Sequence, residues 1–356
     1  LRGAMGLVSG NLYNPALQWE TTSKTNLGID VGLFDDRVSL SADYFQNQTT
    51  NLLTVIQPLY VAGYPNYLDN VGSLKTDGVD FHLNTRIINK GVKWDMGINL
   101  MHYNTVVNDY FNNQEIFDVL DGQVIVQKGQ PLGQFYGYKT KGVFASDEEA
   151  QAANLSAEMP NSDLIPFKGG DVIFEDVNND HVINAKDRQV IGNPAPKLYG
   201  SFSTSVSWNG LTMDATMAFS YGNDIYNYLR RDLESMTSLE NQSQVILNRW
   251  QVQGQQTNIP KAVYGDPLGN SRFSDRWIED GSYLRLENVS LTYRIPLKKL
   301  KQTFDVFVAG QNLVTFTKYL GLDPEFSLGD SPLLRGIDVG MTPQPKAVYA
   351  GIKIGI

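Results

Sequence analysis

The 356-residue chain contains no cysteine. That excludes a disulfide scaffold, a thiolate zinc site and a cysteine nucleophile. Its three histidines, His82, His102 and His181, lie far apart, so no H-x-x-x-H pair is available for zinc. Charged residues are scarce, at 19%, and their balance is −9. A nucleic-acid partner would require a basic stripe, and none is visible. The one short basic cluster, Lys298, Lys299 and Lys301, sits beside Pro296 in what reads as a solvated turn. No run of about 18 apolar residues occurs that could cross a membrane as a helix. The G-x-S-x-G, GxxxxGK[ST] and H-E-x-x-H signatures are also missing, so nothing points to an enzyme. The chain opens at Leu1 without a secretory leader, in the middle of what reads as a structural unit. It reads as a fragment, and the missing leader therefore says nothing about localisation.

What is present is glycine, tyrosine and strict alternation. Thirty-two Gly and eighteen Tyr suit many strands with tight turns and aromatic surfaces. From Leu211, one side carries Leu211, Met213, Ala215, Met217, Phe219 and Tyr221, and the other Thr212, Asp214, Thr216, Ala218 and Ser220. Val79, Phe81, Leu83, Thr85 and Ile87 alternate with Asp80, His82, Asn84 and Arg86. Val92, Trp94, Met96, Ile98 and Leu100 alternate with Lys93, Asp95, Gly97, Asn99 and Met101. Such strands have one apolar and one polar face.

The connections sort into two sets. Short turns occur at Phe34-Asp35-Asp36, at Asn89-Lys90-Gly91, at Asn209-Gly210 and from Pro296 to Lys301. Long connections fall at roughly 51–73, 108–196, 223–278 and 316–344, alternating with the short ones. A membrane barrel does this, with short periplasmic turns and long extracellular loops. A soluble sandwich also alternates, but it has no reason to sort its loops or to carry such long ones. The pattern predicts about nine strands, near 17–33, 38–52, 74–88, 92–107, 197–208, 211–222, 281–295, 303–315 and 346–356. The last strand then runs toward the periplasm, with Val348, Ala350, Ile352, Ile354 and Ile356 outward. The predicted class is all-β: a transmembrane antiparallel β-barrel portion with long extracellular loops.

Within the long connections, Leu229, Leu233, Met236 and Leu239 recur at helical spacing, which predicts one or two helices within Ile225–Trp250, capping a loop core. Aromatics cluster at Tyr60, Tyr64, Tyr67, Tyr110, Phe111, Phe135, Tyr136 and Tyr138. Loop packing or a membrane girdle is their expected role, ahead of contact with sugar or peptide. The inward polar residues Asp80, His82, Asn84, Arg86, Lys93, Asp95, Asn99 and Asp214 are expected to face the lumen as a solvated wall.

One loop carries a metal-ligand spacing. Asp176, Asn178, Asp180, the Val182 carbonyl, Asn184 and Asp187 occupy positions 1, 3, 5, 7, 9 and 12 of an EF-hand-type loop. Ca²⁺ takes six to eight oxygens, and this spacing folds them round one point. Ile183 is expected to anchor the loop by burial. His181 replaces the usual glycine at position 6, where histidine tolerates a left-handed conformation. Asp187 replaces glutamate at position 12. The expectation is a structural Ca²⁺ that stiffens the connection 108–196; the alternative is an Asx-rich turn without metal.

A series of segments, in order, resembles the C-terminal half of the SusC/RagA family of outer-membrane proteins. They are Asn14-Pro15-Ala16-Leu17-Gln18-Trp19-Glu20, Asn26-Leu27-Gly28-Ile29-Asp30, Asp43-Tyr44-Phe45 with Thr49 to Leu53, and Asn70-Val71-Gly72 with Gly78-Val79-Asp80. Next come Gly129-Gln130-Pro131-Leu132-Gly133 leading into Phe135-Tyr136-Gly137-Tyr138, Gly192-Asn193-Pro194-Ala195-Pro196-Lys197, and Arg249-Trp250. Arg276-Trp277, Asp280 to Leu286, Gly310-Gln311-Asn312-Leu313 and Asp323-Pro324-Glu325 complete the series. The resemblance implies a whole protein with a barrel of about 22 strands enclosing an N-terminal plug. It implies a TonB box that receives force from the inner membrane, and a SusD-like surface lipoprotein that closes the barrel as a lid. It further implies oligosaccharide or oligopeptide cargo and a location in the Gram-negative outer membrane, in contact with its lipid. Plug, TonB box and the first strands are expected to lie outside residues 1–356. A passive channel and a secreted glycan-binding β-protein are the alternatives.

Overall fold

The computed structural model describes residues 13–56, 67–296 and 302–355. Tyr60, Tyr64, Lys298, Lys299, Lys301 and Ile356 lie outside the described residues. Nine strands form one continuous wall: β1 (Thr21–Leu33), β2 (Val38–Thr50), β3 (Ser73–Lys90), β4 (Val92–Asp109), β5 (Leu198–Trp208), β6 (Leu211–Tyr221), β7 (Tyr283–Ile295), β8 (Thr303–Thr317) and β9 (Ala347–Gly355). Each strand pairs antiparallel with its sequence neighbour, so spatial order equals chain order. All nine predicted strands are present. This meander is the arrangement that alternating short and long links produce.

The register makes the wall two-faced. Across the sheet, Val31, Leu40, Leu83, Ile98, Phe202, Met217, Leu286 and Val314 stand side by side in one row. One residue along, on the opposite face, the row reads Asp30, Ser41, His82, Asn99, Ser201, Ala218, Arg285 and Thr315. The apolar face is bare: Leu27 is 70% exposed, Val348 73% and Ile352 68%. A soluble protein would cover such an area, whereas lipid covers it in a membrane wall.

A bulge in β7 keeps this sorting intact. Met217 pairs with Leu286 and Thr216 with Asn288, which leaves Glu287 unpaired. The apolar phase therefore changes within β7, from Leu284 and Leu286 to Val289, Leu291, Tyr293 and Ile295. A bulge adds one residue without moving the rest of the strand to the wrong face. Among the short turns, Asn209 and Gly210 both have positive φ (46° and 83°), the backbone of a tight two-residue hairpin.

The packed cores lie in the long connections. Of the buried hydrophobic residues among those described, only Val107 and Ala309 belong to wall strands. One core, inside the connection between β4 and β5, gathers Phe144, Ala157, Val172, Phe174 and Ile183. A second joins three connections through Val124, Phe135, Tyr226, Phe273, Trp277 and Ile337. A short strand, Asp224–Asn227, carries this joint: it pairs antiparallel with Ile278–Asp280 and parallel with Ile337–Asp338.

The expected helix within Ile225–Trp250 is present but shorter than its spacing predicts. The segment starts with the strand just described, followed by helix α1 at Tyr228–Glu234 and a 3-10 turn at Gln244–Asn248. Leu229 and Leu233 lie on α1, but Met236 is beyond its end with φ +54° and Leu239 is 92% exposed. Met236 is buried by the chain reversal after the helix instead.

Candidate functional site

The inner face is a hydrogen-bonded ladder of short polar side chains. Ser41 donates to Asp30 at 2.6 Å, a His82 ring nitrogen lies 2.7 Å from the Asn99 Oδ1, and Asn99 donates to Ser201 at 2.9 Å. Arg86 pairs with Asp95 at 3.0 Å, and Ser205 donates to Asp214 at 2.6 Å. The expected lumenal set thus shares one face, with Arg86 and Asp95 paired across strands and Asp80 beside His82 on its own strand. These contacts fix side chains in a wetted wall.

Toward the end of the wall that bears the long connections, the inner face changes character. Tyr103, Tyr199 and Tyr283 replace the hydroxyls and amides there. Tyr103 and Tyr199 meet edge to face, with centroids 6.0 Å apart. One charge cluster and one arginine–tyrosine hydrogen bond fasten the connections to this rim. Arg285, 3% exposed, projects from β7 onto Asp323 and Glu325. Asp323 also accepts the backbone N–H groups of Glu325 (3.0 Å) and Gln344 (3.2 Å), and Tyr283 donates to Glu325 at 2.8 Å. Arg335 donates to the Tyr103 hydroxyl at 2.6 Å. The segments 280–286 and 323–325, read separately in the sequence, are therefore one buried ion-pair node.

The connections are built, not loose. Asp171 is fully buried; its carboxylate takes Lys261 Nζ at 2.9 Å, Asn270 Nδ2 at 2.8 Å and the Lys168 N–H at 2.8 Å. Arg230 bridges to Glu234 and Glu279. Burial raises the Asp224 and Asp275 carboxyls above their ordinary value, opposed by N–H donors from Asn193 and Thr140 respectively. Burial, then the neighbouring Arg230 charge, pulls Arg276 down to about 10. Of the loop aromatics, Phe135 and Tyr138 are buried packing residues. Tyr67 lies in a two-stranded ribbon with Leu53–Ile56, Tyr110 donates to Glu115, and Phe111 is half exposed.

The EF-type loop adopts part of the expected shape. His181 has φ +64° and Ile183 is fully buried, in a two-residue strand parallel to Ser156–Glu158. Every side-chain oxygen of the candidate set has a hydrogen-bond donor within the loop. Asp176 accepts from the Asp180 and His181 N–H groups, and Asn178 from Asp180. Asp180 accepts from the Val182 N–H and the Asn178 amide, which together hold its carboxyl below the ordinary range. Asn184 accepts from Lys186, and buried Asp187 accepts from both Val177 and Asn184. Among the described residues, no three His, Cys, Asp or Glu side chains converge as a metal cage.

The pattern of the TonB dependent receptor-like β-barrel matches residues 3–313. The chain belongs to the TonB-dependent receptor family. It is 31% identical to TonB-dependent receptor P3 of Formosa agariphila over 367 residues, covering 98% of this chain and 35% of that protein. It is 23% identical to TonB-dependent receptor SusC of Bacteroides thetaiotaomicron, covering 96% and 32%. Among solved structures it matches the RagAB peptide transporter with a TM-score of 0.80 and 26% identity, over 99% of this chain and 37% of that one. The chain thus spans about a third of the length of these relatives. The SusC/RagA resemblance and the barrel fold are both correct, and barrels of this family reside in the outer membrane.

Sequence reasoning missed Tyr103, Tyr199 and Arg335 as rim residues. The signal was available for the tyrosines: both continue the polar, inward series of their strands, where a large ring is out of place. Arg335 sits in a connection without periodicity, and only the fold brings it to Tyr103.

Proposed function

We propose that this chain supplies wall and outer rim to an importer of oligosaccharides or oligopeptides, driven through TonB and working with a SusD-like surface lipoprotein. The observation that carries the reading is the two-faced wall: bare and apolar outside, hydrogen-bonded and polar inside, roofed at one end by connections with their own cores. The likeness to the RagAB transporter supports a two-component assembly, and the long connections are the side on which a lid would sit. TonB would act through segments outside residues 1–356. In the source bacterium, uptake of the cargo should disappear when either tonB or the lid gene is deleted. Uptake that survives loss of tonB would instead identify a passive channel. The apolar face argues against a secreted, freely soluble β-protein.

The loop Asp176–Asp187 is proposed to take a structural Ca²⁺. Its left-handed position 6 and buried position 8 support this. Calcium content of the full-length protein, measured after chelation and repletion, should be one equivalent higher than in the Asp176→Ala/Asp180→Ala double variant. Equal content in the two proteins overturns the proposal.

A further inference from the structure

Between the connection from β4 to β5 and the connection from β6 to β7 lies a recess of about 310 Å³, within the range of ligand pockets. All of its lining comes from these two connections and none from the wall strands. The chain carries −9 overall, yet three guanidiniums, of Arg188, Arg231 and Arg272, line this recess against two carboxylates, of Asp118 and Asp121.

Both carboxylates are engaged. Asp121 takes Arg231 Nη1 at 3.0 Å, and Asp118 takes the Gln123 amide at 2.7 Å. Both acids are exposed, at the turn end of the hairpin formed by Gln114–Val119 and Gly122–Gln127, where water screens their charge.

Arg188 and Arg272 are placed otherwise. Their guanidiniums lie against the same ring, that of Tyr138, at 5.6 and 5.0 Å from its centroid. Arg272 also lies 4.8 Å from the centroid of Phe174. An aromatic face attracts a cation without neutralising it. Arg272 gives two of its five N–H groups to neutral carbonyls, of Leu268 at 2.7 Å and Gly269 at 3.0 Å. The Asp266 carboxylate on the same turn is taken by the Asn270 and Ser271 N–H groups and the Ser271 hydroxyl. Among the described residues, neither Arg188 nor Arg272 has a carboxylate partner. Burial lowers the Arg272 guanidinium below its ordinary value; Tyr138 and Asp266 oppose this, and the Arg188 charge adds to it.

Two like charges held on one ring, with N–H donors left over, complement an oxyanion. A carboxylate offers its two oxygens in one plane. A tetrahedral oxyanion offers oxygens in several directions, which suits guanidiniums that arrive from different segments. We propose that this recess binds a small tetrahedral oxyanion of the phosphate or sulfate type, held by Arg188 and Arg272 with Arg231 beside it. Arg188 belongs to one connection and Arg231 and Arg272 to the other, so the ion fastens the two together. The ion is neither in the lumen nor cargo, and its binding stands or falls apart from the import reading.

The test uses the full-length protein in detergent, without TonB. It is titrated calorimetrically with inorganic phosphate, sulfate, methyl phosphate and acetate, with chloride holding the ionic strength constant. Saturable binding of phosphate or sulfate, tighter than acetate, is expected. Arg188→Gln should bind at least about tenfold more weakly, the scale of one charge-assisted hydrogen bond. Asp118→Asn, which removes a negative charge from the recess, should bind roughly threefold more tightly. Lys168→Gln changes an exposed cation of the same connection outside the recess and should match wild type. Each variant is checked for heat-modifiable migration as evidence of a folded barrel. Methyl phosphate binding as tightly as inorganic phosphate would mark a phosphate borne on a larger molecule as the natural ligand, and exclusion of the ester would mark the free ion. No saturable binding, acetate as the tightest ligand, Arg188→Gln with wild-type affinity, or Asp118→Asn with weakened binding would each overturn the proposal.

Discussion

Replacing Asp323 by alanine should release the connection between β8 and β9 while leaving the wall standing. Asp323 is 4% exposed and bonded to the guanidinium of Arg285, itself 3% exposed, and to two backbone N–H groups. Removing one member of a buried pair leaves the other charge without compensation, at a cost of about 3–5 kcal/mol. Glu325 also touches Arg285 but is 37% exposed, so it recovers only part of that loss. A local opening energy reduced by about 3–5 kcal/mol corresponds to exchange faster by roughly two to three and a half orders of magnitude. Amide hydrogen exchange of the full-length protein in detergent should therefore accelerate by about that factor across residues 318–346. Peptides from β5 and β6 should keep wild-type rates. Arg285→Met/Asp323→Leu, which replaces the pair by apolar groups, should recover most of the protection, because removing both charges avoids the stranded one. Asp323→Ala with exchange in 318–346 within about threefold of wild type would refute the reasoning, as would a double variant as unprotected as the sum of the singles.

Three further outcomes follow from the same structure. Ile337→Ala empties a fully buried position in the core shared by three connections and should cost about 2–5 kcal/mol, read as protease cleavage within the connections and not within the wall. Met213→Arg places a charge on the apolar face at an estimated cost of about 2–4 kcal/mol near mid-membrane, whereas Thr212→Arg on the inner face should fold normally; refolding yield into lipid vesicles measures the difference. Burial raises the Asp275 carboxyl above its unfolded value of 3.8, so its stabilising contribution is present below that pH and is lost as pH rises through the higher folded value. Asp275→Asn should remove that loss, seen as a smaller decline of the Trp277 fluorescence melting temperature on going from acid to neutral pH than in wild type.

The wall was legible in the sequence because two simple rules specify it. Alternation with period two sets the faces, and Asn209-Gly210 or Gly91 sets the short turns. Even the bulge at Glu287 is visible as a change of phase between Leu286 and Val289. The connections were not legible in the same way. Their cores draw on residues far apart in the chain: Val124, Tyr226, Trp277 and Ile337 meet only after three connections fold together. Helical spacing around Leu229–Leu239 located the helix at Tyr228–Glu234 but overran its end, because Met236 and Leu239 lie beyond it. The EF-type loop shows the opposite case. Local chemistry foretold the left-handed His181 and the buried Ile183, since both depend on neighbours within a few residues. The Arg285 node lies between these cases: its segments were noted, but their contact spans 38 residues and depends on the fold.

The central claim is that the nine strands present one face to lipid and the other to water. The direct test places single cysteines, then spin labels, at each position of 211–221 in a cysteine-free background of the full-length protein in lipid vesicles; residues 1–356 contribute no cysteine of their own. Collision with oxygen, which concentrates in lipid, should peak at Met213, Ala215, Met217 and Phe219. Collision with a water-soluble nickel complex should peak at Thr212, Asp214, Thr216 and Ala218. Two opposed profiles with a period of two residues are the predicted result. Profiles without that period, or with both collision rates peaking on one face, would contradict the account.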